Sequence, residues 1–519
     1  MEPIAQSTVA WITFGIYLVV TAGLAVIGWL KTDSLESFAV GKRDMGPWLV
    51  GITMGASLSS TATFVINPGF VYTHGVSAFM HLGVAVGLGL AVALYVLSPR
   101  FRRIGVDGKA LTLPHWIGAR YGSTALRVVF GVISLMSIAF LVLIAGSVQI
   151  LLQTTLELSP QAALLLTIGF VFSYILIGGT YAHTYTNTLQ GVMMLFVTVV
   201  ILVKAFGALT ADGFLAVVEA HGPELLTAVN PKSSLYGDIF SVYVAGFVIG
   251  FAIVCQPHLL MKALYLERDE DVNRYVTITV CITALFFLLL LAGLAAHATF
   301  DPATGPKQDT VMVLWLKEQF GPIPFVLISV ALVAAGMSTL DGILVAMSTV
   351  MSNDVFLPVA ERTFLAHKTP EQRARVAYRF GQASLIAMGV VTWLILSGDK
   401  PKLLGIFGQT GVYGIVAAGV GPILIGVLLP GRKDLRPLAL TISIVGFAVY
   451  ATLNGINYTL RSSPEGTLAK AWSGFADGNP IVAGLIAHPN PAVPATISIL
   501  LCAFIAAVWL ATTRRGAAV

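Results

Sequence analysis

The sequence predicts an all-α integral membrane protein with about thirteen transmembrane helices. Three observations carry this. Of 519 residues, 56% are hydrophobic and only 11% are charged, against roughly 25% charged in a soluble domain. The apolar residues fall in runs long enough to cross a bilayer, which takes about 20 residues. The basic residues also change sides as the runs are counted off, as orientation rules require.

The runs are 8–30, 47–72, 75–99, 125–154, 160–178, 182–208, 236–265, 272–298, 323–352, 377–397, 401–430, 436–456 and 494–513. The first follows "MEPIAQSTVAW", which lacks the basic start of a secretory signal. That run is too long for a signal core and reads as a retained span. The connections 209–235 and 457–493 are the longest, each with room for a short surface helix. No stretch between runs is long enough for a soluble domain. With the N-terminus outside, the cytoplasmic side holds 22 of the 30 Lys and Arg residues. The outside keeps 8: Lys204, Lys232, Lys307, Lys317, Lys400, Lys402, Arg461 and Lys470. The expectation is an N-terminus outside, a C-terminus inside, and a multi-pass protein of the plasma membrane, such as a bacterial inner membrane.

Composition also excludes several function classes. Cys255, Cys281 and Cys502 each lie in an apolar run without CxxC spacing, so no disulfide framework or structural metal is expected. No Walker-type glycine loop is present, which argues against ATP as the energy source. The net charge of +5 is spread over short loops, which does not suit nucleic acid. The expected partners are lipid, an ion and a small solute, with a monomer as the transport unit.

Several runs are interrupted. The second holds "NPG" at 67–69, the seventh Gly246, Gly250 and Pro257, and the eleventh Gly405, Gly408, Gly411, Gly414 and Gly419. A broken helix in lipid survives only where protein or a cavity satisfies the freed backbone groups. Broken segments at matching places in two halves point to a transport site. Runs two and seven lie five apart, so 47–208 and 236–430 read as two five-helix halves joined by 209–235. An odd number of spans per half makes them inverted. Residues 1–46 and 431–519 then supply one extra helix before and two after.

The ninth run carries "AAGMSTLDG" at 334–342, with two hydroxyls and a carboxylate in apolar surroundings. Ala335, Ser338 and Thr339 are spaced i, i+3, i+4 and share one helix face. In run two, "GASLSSTAT" at 55–63 offers a second small polar stretch, where an unwound turn would free the carbonyls of Ala56 and Ser59. Five neutral oxygens suit a hard monovalent cation, since divalent sites recruit several carboxylates. Close helix packing is the competing use of such small residues. Asp341 favours function, because intramembrane carboxylates are costly to keep.

Four motifs carry a resemblance: "MSTLDG" at 337–342, "ASLSSTATFVINPGFVYTHG" at 56–75, "GGTYAHTYTNTLQG" at 178–191 and "CQPHLLMKAL" at 255–264. In this order they resemble the sodium:solute symporter family, whose members include proline, glucose, pantothenate, sialic acid and monocarboxylate symporters. The resemblance implies a LeuT-like fold of two inverted five-helix repeats and a sodium site of Ala56, Ser59, Ala335, Ser338 and Thr339. One departure stands out. The family commonly has Thr-Asp where this chain has Thr186-Asn187, and an amide supplies no charge. Asp341 and Asn187 therefore become candidates for a second cation site or for coupling.

Solute is expected beside the broken helices, near Ser60, Thr61, Thr63, His81, Gly250, Gln256, Gln409 and Thr410. Lys262, close to the cytoplasmic end, reads as snorkelling to the interface. With no deep arginine, a carboxylate would be held by hydroxyls and helix N-termini. The reading is a sodium-coupled symporter of a small organic solute, leaning to a monocarboxylate- or pantothenate-type anion, and not an enzyme. The alternatives are a proton-coupled symporter of the same fold, or an amino-acid or sugar symporter. A channel is disfavoured by the mostly apolar spans, and a sensor because only "TTRRGAAV" follows the last run.

Overall fold

The computed structural model describes residues 3–398, 401, 403–432, 434–463 and 465–515. Lys400, Lys402 and Lys433, counted above for orientation, lie outside these. Among the described residues, ten helices are long and apolar enough to cross a membrane. Two further helix pairs, Pro47–Leu58 with Ala62–His74 and Phe240–Ile253 with Pro257–Tyr265, are bent by 50° and 53° at short breaks. The shorter apolar helix Pro160–Ser173 stands at the fifth predicted run. Short helices Phe214–His221, Thr467–Gly478 and Pro480–Ile486 fill the two long connections, as expected. The one isolated bridge among the described residues joins Met45 and Leu266.

The breaks have local causes. In the first pair, Pro47 starts the inner helix at a position where its missing N–H costs nothing. Regular helix stops at Leu58, and Ser59 leaves helical geometry with φ −117° and ψ 88°. The chain restarts as a π-helical turn, Ala62–Ile66, just ahead of Pro68. A proline cannot donate to the ladder, so a widened turn before it is natural. In the second pair, Gln256 is extended (φ −74°, ψ 146°), the geometry Pro257 imposes on its predecessor. A third break lies at Gly179, whose φ of +53° divides the Gly179–Leu209 helix from the segment before it.

The eleventh run does not break. Leu404–Leu428 is one helix of 25 residues. Its glycines serve contact instead: a Cβ at Gly408 would crowd Leu143, and one at Gly411 would crowd Ala139. Small residues of this kind let membrane helices approach closely.

Two helices form the centre. Pro322–Ala360 and Leu404–Leu428 are 83% buried over their most apolar windows, against 28% for Ser7–Trp29 and for Arg436–Ser462. The Pro322–Ala360 helix packs on both bent pairs, on Gly179–Leu209 and on Thr124–Leu156. Elsewhere, Val76–Asp107 and Phe240–Ile253 cross backbone to backbone. A Cβ on Gly89 would strike the Phe247 carbonyl, and one on Gly250 the Val86 carbonyl.

Candidate functional site

The first break faces the Pro322–Ala360 helix. Ser338 Oγ lies 2.7 Å from the Ala335 carbonyl and 3.3 Å from the Ala56 carbonyl. Among the described residues the Ala56 carbonyl otherwise accepts only a 3.3 Å bond from Ser59 N at the distorted helix end. Ser59 Oγ and Thr339 Oγ1 are buried and have no hydrogen-bond partner among the described residues. A buried hydroxyl without a partner is destabilising. Ser59 ends the helix that carries Ala56, and Thr339 follows Ser338, so both hydroxyls belong to the segments that Ser338 and the Ala56 carbonyl bring together, the candidate neutral cage. No group of three or more His, Cys, Asp or Glu side chains suited to a metal occurs among the described residues. Thr61, next to the break, donates to the Leu332 carbonyl at 2.8 Å and ties the bent pair to the same helix. Gly336 makes that approach possible, since a Cβ there would collide with Thr61.

A polar chain adjoins the cage. Asn187 Nδ2 donates to Ser57 Oγ at 3.0 Å and to the Ser338 carbonyl at 3.1 Å. Asp341 does not stand alone: His183 Nδ1 is 2.7 Å from its Oδ1, and Thr186 Oγ1 is 3.2 Å from its Oδ2. Lys262 Nζ in turn lies 2.6 Å from His183 Nε2. Lys262 is 0% exposed, which corrects the snorkelling expectation: its ammonium turns inward to a partner.

On the other side of the break is a cavity of about 110 Å³, open at its mouth. Ser57, Ser60, Thr63, Asn67, Gln256, His258, Gln409 and Tyr413 give it polar edges, while Phe140, Leu143, Leu259 and Phe287 give it apolar walls. Ser60, Thr63, Gln256 and Gln409 had been expected there. Thr61, His81, Gly250 and Thr410 do not line it, and each has a local reason. Thr61 is bonded to Leu332. His81 Nδ1 is 2.7 Å from the Ser241 carbonyl and packs on Tyr236. Gly250 sits in the crossing with Val86. Thr410 donates to the Ile406 carbonyl, and its own carbonyl accepts from Tyr450.

The sequence reading passed over His183, Asn67 and His258. His258 is 5% exposed, and its Nε2 has no hydrogen-bond partner among the described residues. His183 had a signal: a lone intramembrane Asp calls for a donor, and His183 and Asn187, four apart, share one helix face.

Comparison with known proteins bears directly on this arrangement. The model of the Sodium:solute symporter family matches residues 38–429, a span that holds both bent pairs, the cage and the cavity. The chain belongs to the sodium:solute symporter family. Among its relatives, the sodium/pantothenate symporter of Haemophilus influenzae is 24% identical over 457 residues, covering 86% of this chain and 90% of that one. The sodium/pantothenate symporter of Escherichia coli is 25% identical over 460 residues, covering 85% and 89%. The sodium/proline symporter of Staphylococcus aureus (strain Newman) is 23% identical over 410 residues, covering 77% of each. In fold, the symporter resembles a Na+-coupled sialic acid symporter solved in a substrate-bound outward-open state. Their TM-score is 0.71 at 16% identity, covering 95% of this chain and 97% of that one. A nucleobase-cation-symport-1 family transporter superposes with a TM-score of 0.54 at 14% identity, covering 93% and 96%. The fold is thus that of a LeuT-like membrane transporter, and sodium is the coupling ion of a solute symporter rather than a participant in an enzyme reaction.

Proposed function

We propose that Ala56, Ser59, Ala335, Ser338 and Thr339 hold the transported sodium ion, and that the adjoining cavity holds a small organic solute carried into the cell. One observation carries the sodium site. Ser338 Oγ reaches the Ala56 carbonyl across the break, with the unpartnered hydroxyls of Ser59 and Thr339 buried nearby. An ion there would join the first bent pair to the Pro322–Ala360 helix and favour the solute-binding shape. On the inverted-repeat reading, 47–208 and 236–430 then rock around it within thirteen spans, with the N-terminus outside and a single chain as the transport unit. The similar bends of the two pairs, at equivalent places five runs apart, support that reading.

The solute leans to a pantothenate- or monocarboxylate-type anion. Two relatives are named for pantothenate. The cavity offers amides and hydroxyls beside apolar walls, and no Lys or Arg lines it. A carboxylate would be received by neutral donors, and an apolar tail by Phe140, Leu143 and Phe287. One sodium carried with one monovalent anion moves no net charge, so the membrane potential adds nothing; a tenfold sodium gradient, about 1.4 kcal/mol, supports about tenfold accumulation.

A melting screen of the purified protein against small carboxylates, amino acids and sugars, in sodium and in potassium, tests both parts. The expected result is stabilisation by a small carboxylate in sodium alone. Equal stabilisation in potassium would end the sodium assignment, and a response to sugars or amino acids only would end the anion assignment.

A further inference from the structure

Lys262, His183 and Asp341 come from three different elements and meet in the interior. Lys262 is on the Pro257–Tyr265 half of the second bent pair, His183 on Gly179–Leu209, and Asp341 on Pro322–Ala360. Their exposures are 0%, 1% and 0%. The two contacts, 2.6 Å and 2.7 Å, fix a direction. An ammonium has only donors, so His183 Nε2 must accept. A neutral imidazole then carries its proton on Nδ1 and donates to the carboxylate. The chain runs from positive to negative through a neutral ring, and its two charges cancel. Gly342 makes the room: a Cβ there would come within 3.0 Å of His183 Cε1. Asn187, one turn along from His183, ties the assembly to Ser57 and to the Ser338 carbonyl.

A carboxylate this deep needs a positive partner. A transported ion would do, or a fixed charge on the protein. Here three elements converge to deliver a fixed one. We propose that Lys262, positioned by His183, is a tethered cation that serves Asp341 in place of a second transported ion, so that each cycle carries one sodium. This rests on the reading that the Ser338 cage holds that sodium. Neither Lys262 nor His183 lines the solute cavity, so both are positioning residues. Asn187 fits the same arrangement, because with Lys262 already matched to Asp341 a second carboxylate at 187 would leave an unbalanced charge.

Equilibrium binding of radioactive sodium to the purified full-length chain tests the proposal, with sodium as the only probe. The wild type is expected to bind one sodium per chain. Lys262→Gln should bind two, the second ion taking over the vacated role beside Asp341. Lys262→Gln combined with Asp341→Asn should return to one, and Lys262→Arg should stay at one. Two sodium ions in the wild type, or one in Lys262→Gln, would overturn the proposal. If Lys262→Gln fails to fold, the wild-type count and the charge-retaining Lys262→Arg still decide. The cage is judged by a separate variant: sodium retained after Ser338→Ala with Thr339→Ala rejects the cage, and that failure cannot be mistaken for failure of the tethered charge.

Discussion

The cage and the charged chain are neighbours on one helix, yet they solve burial in opposite ways. Around Ser338, neutral oxygens converge and two hydroxyls lack partners among the described residues. Three residues on, Asp341 is matched by His183 and, through it, by Lys262. A site that is to take up and release an ion must leave part of its bonding capacity unmet by protein. A site that is to stay put must not. On the proposed reading the difference separates a transient occupant from a permanent one, although both stand on the same turn-and-a-half of helix.

The largest expected effect comes from breaking the permanent side. Lys262→Met strands a buried carboxylate, a loss of about 3–5 kcal/mol. It should appear as a large fall in melting temperature in sodium-free buffer, recovered when Asp341→Asn is added. If the double variant is no more stable than the single one, Lys262 and Asp341 are not energetically coupled. Next, Ser338→Ala or Thr339→Ala removes one oxygen from the transient side. Hydrogen bonds to charged groups contribute about 1.5–3 kcal/mol, and a hydroxyl that ligates an ion is expected to fall in the same range. Sodium affinity should then drop by roughly ten- to hundredfold, with sodium-free stability nearly unchanged for Thr339→Ala and lowered by about 1 kcal/mol for Ser338→Ala, which loses its bond to the Ala335 carbonyl. A smaller change is expected in the cavity. Gln256→Ala or Gln409→Ala each removes a neutral contact of about 1 kcal/mol. The solute KM should rise several-fold while the sodium curve holds, and a shifted sodium curve would place these glutamines in the cage's orbit instead. The smallest belongs to Thr61→Ala, which loses one buried bond to Leu332, again about 1 kcal/mol. It should lower the melting temperature slightly and leave ion and solute dependence alone.

Much of this architecture could be read from residue order. Apolar run lengths located the helices, and Pro257 marked the second bend, because a missing N–H is a local fact; the first bend lies at Ser59, in the small polar stretch and ahead of the NPG at 67–69 where it was expected. The i, i+3, i+4 spacing of Ala335, Ser338 and Thr339 put three of the proposed cage residues on one face. What resisted reading was partnership across distance. Lys262 looked like an interfacial lysine because only the fold carries it to His183, 79 residues earlier in the chain. Gly250 and the glycines of the eleventh run looked like helix breakers. A glycine that breaks a helix and one that admits a neighbouring backbone are the same residue in a sequence; only the neighbour distinguishes them.

That neighbour matters most where Gly89 and Gly250 interlock. Each backbone occupies the space a methyl group would need on the other, so Val76–Asp107 and Phe240–Ile253 cannot slide past one another without collision. Relative sliding of the two is therefore sterically costly. On the proposed reading the seam that parts is the contact between the first bent pair and the Ser338 helix, crossed among the described residues by two side-chain bonds, Ser338 to the Ala56 carbonyl and Thr61 to the Leu332 carbonyl.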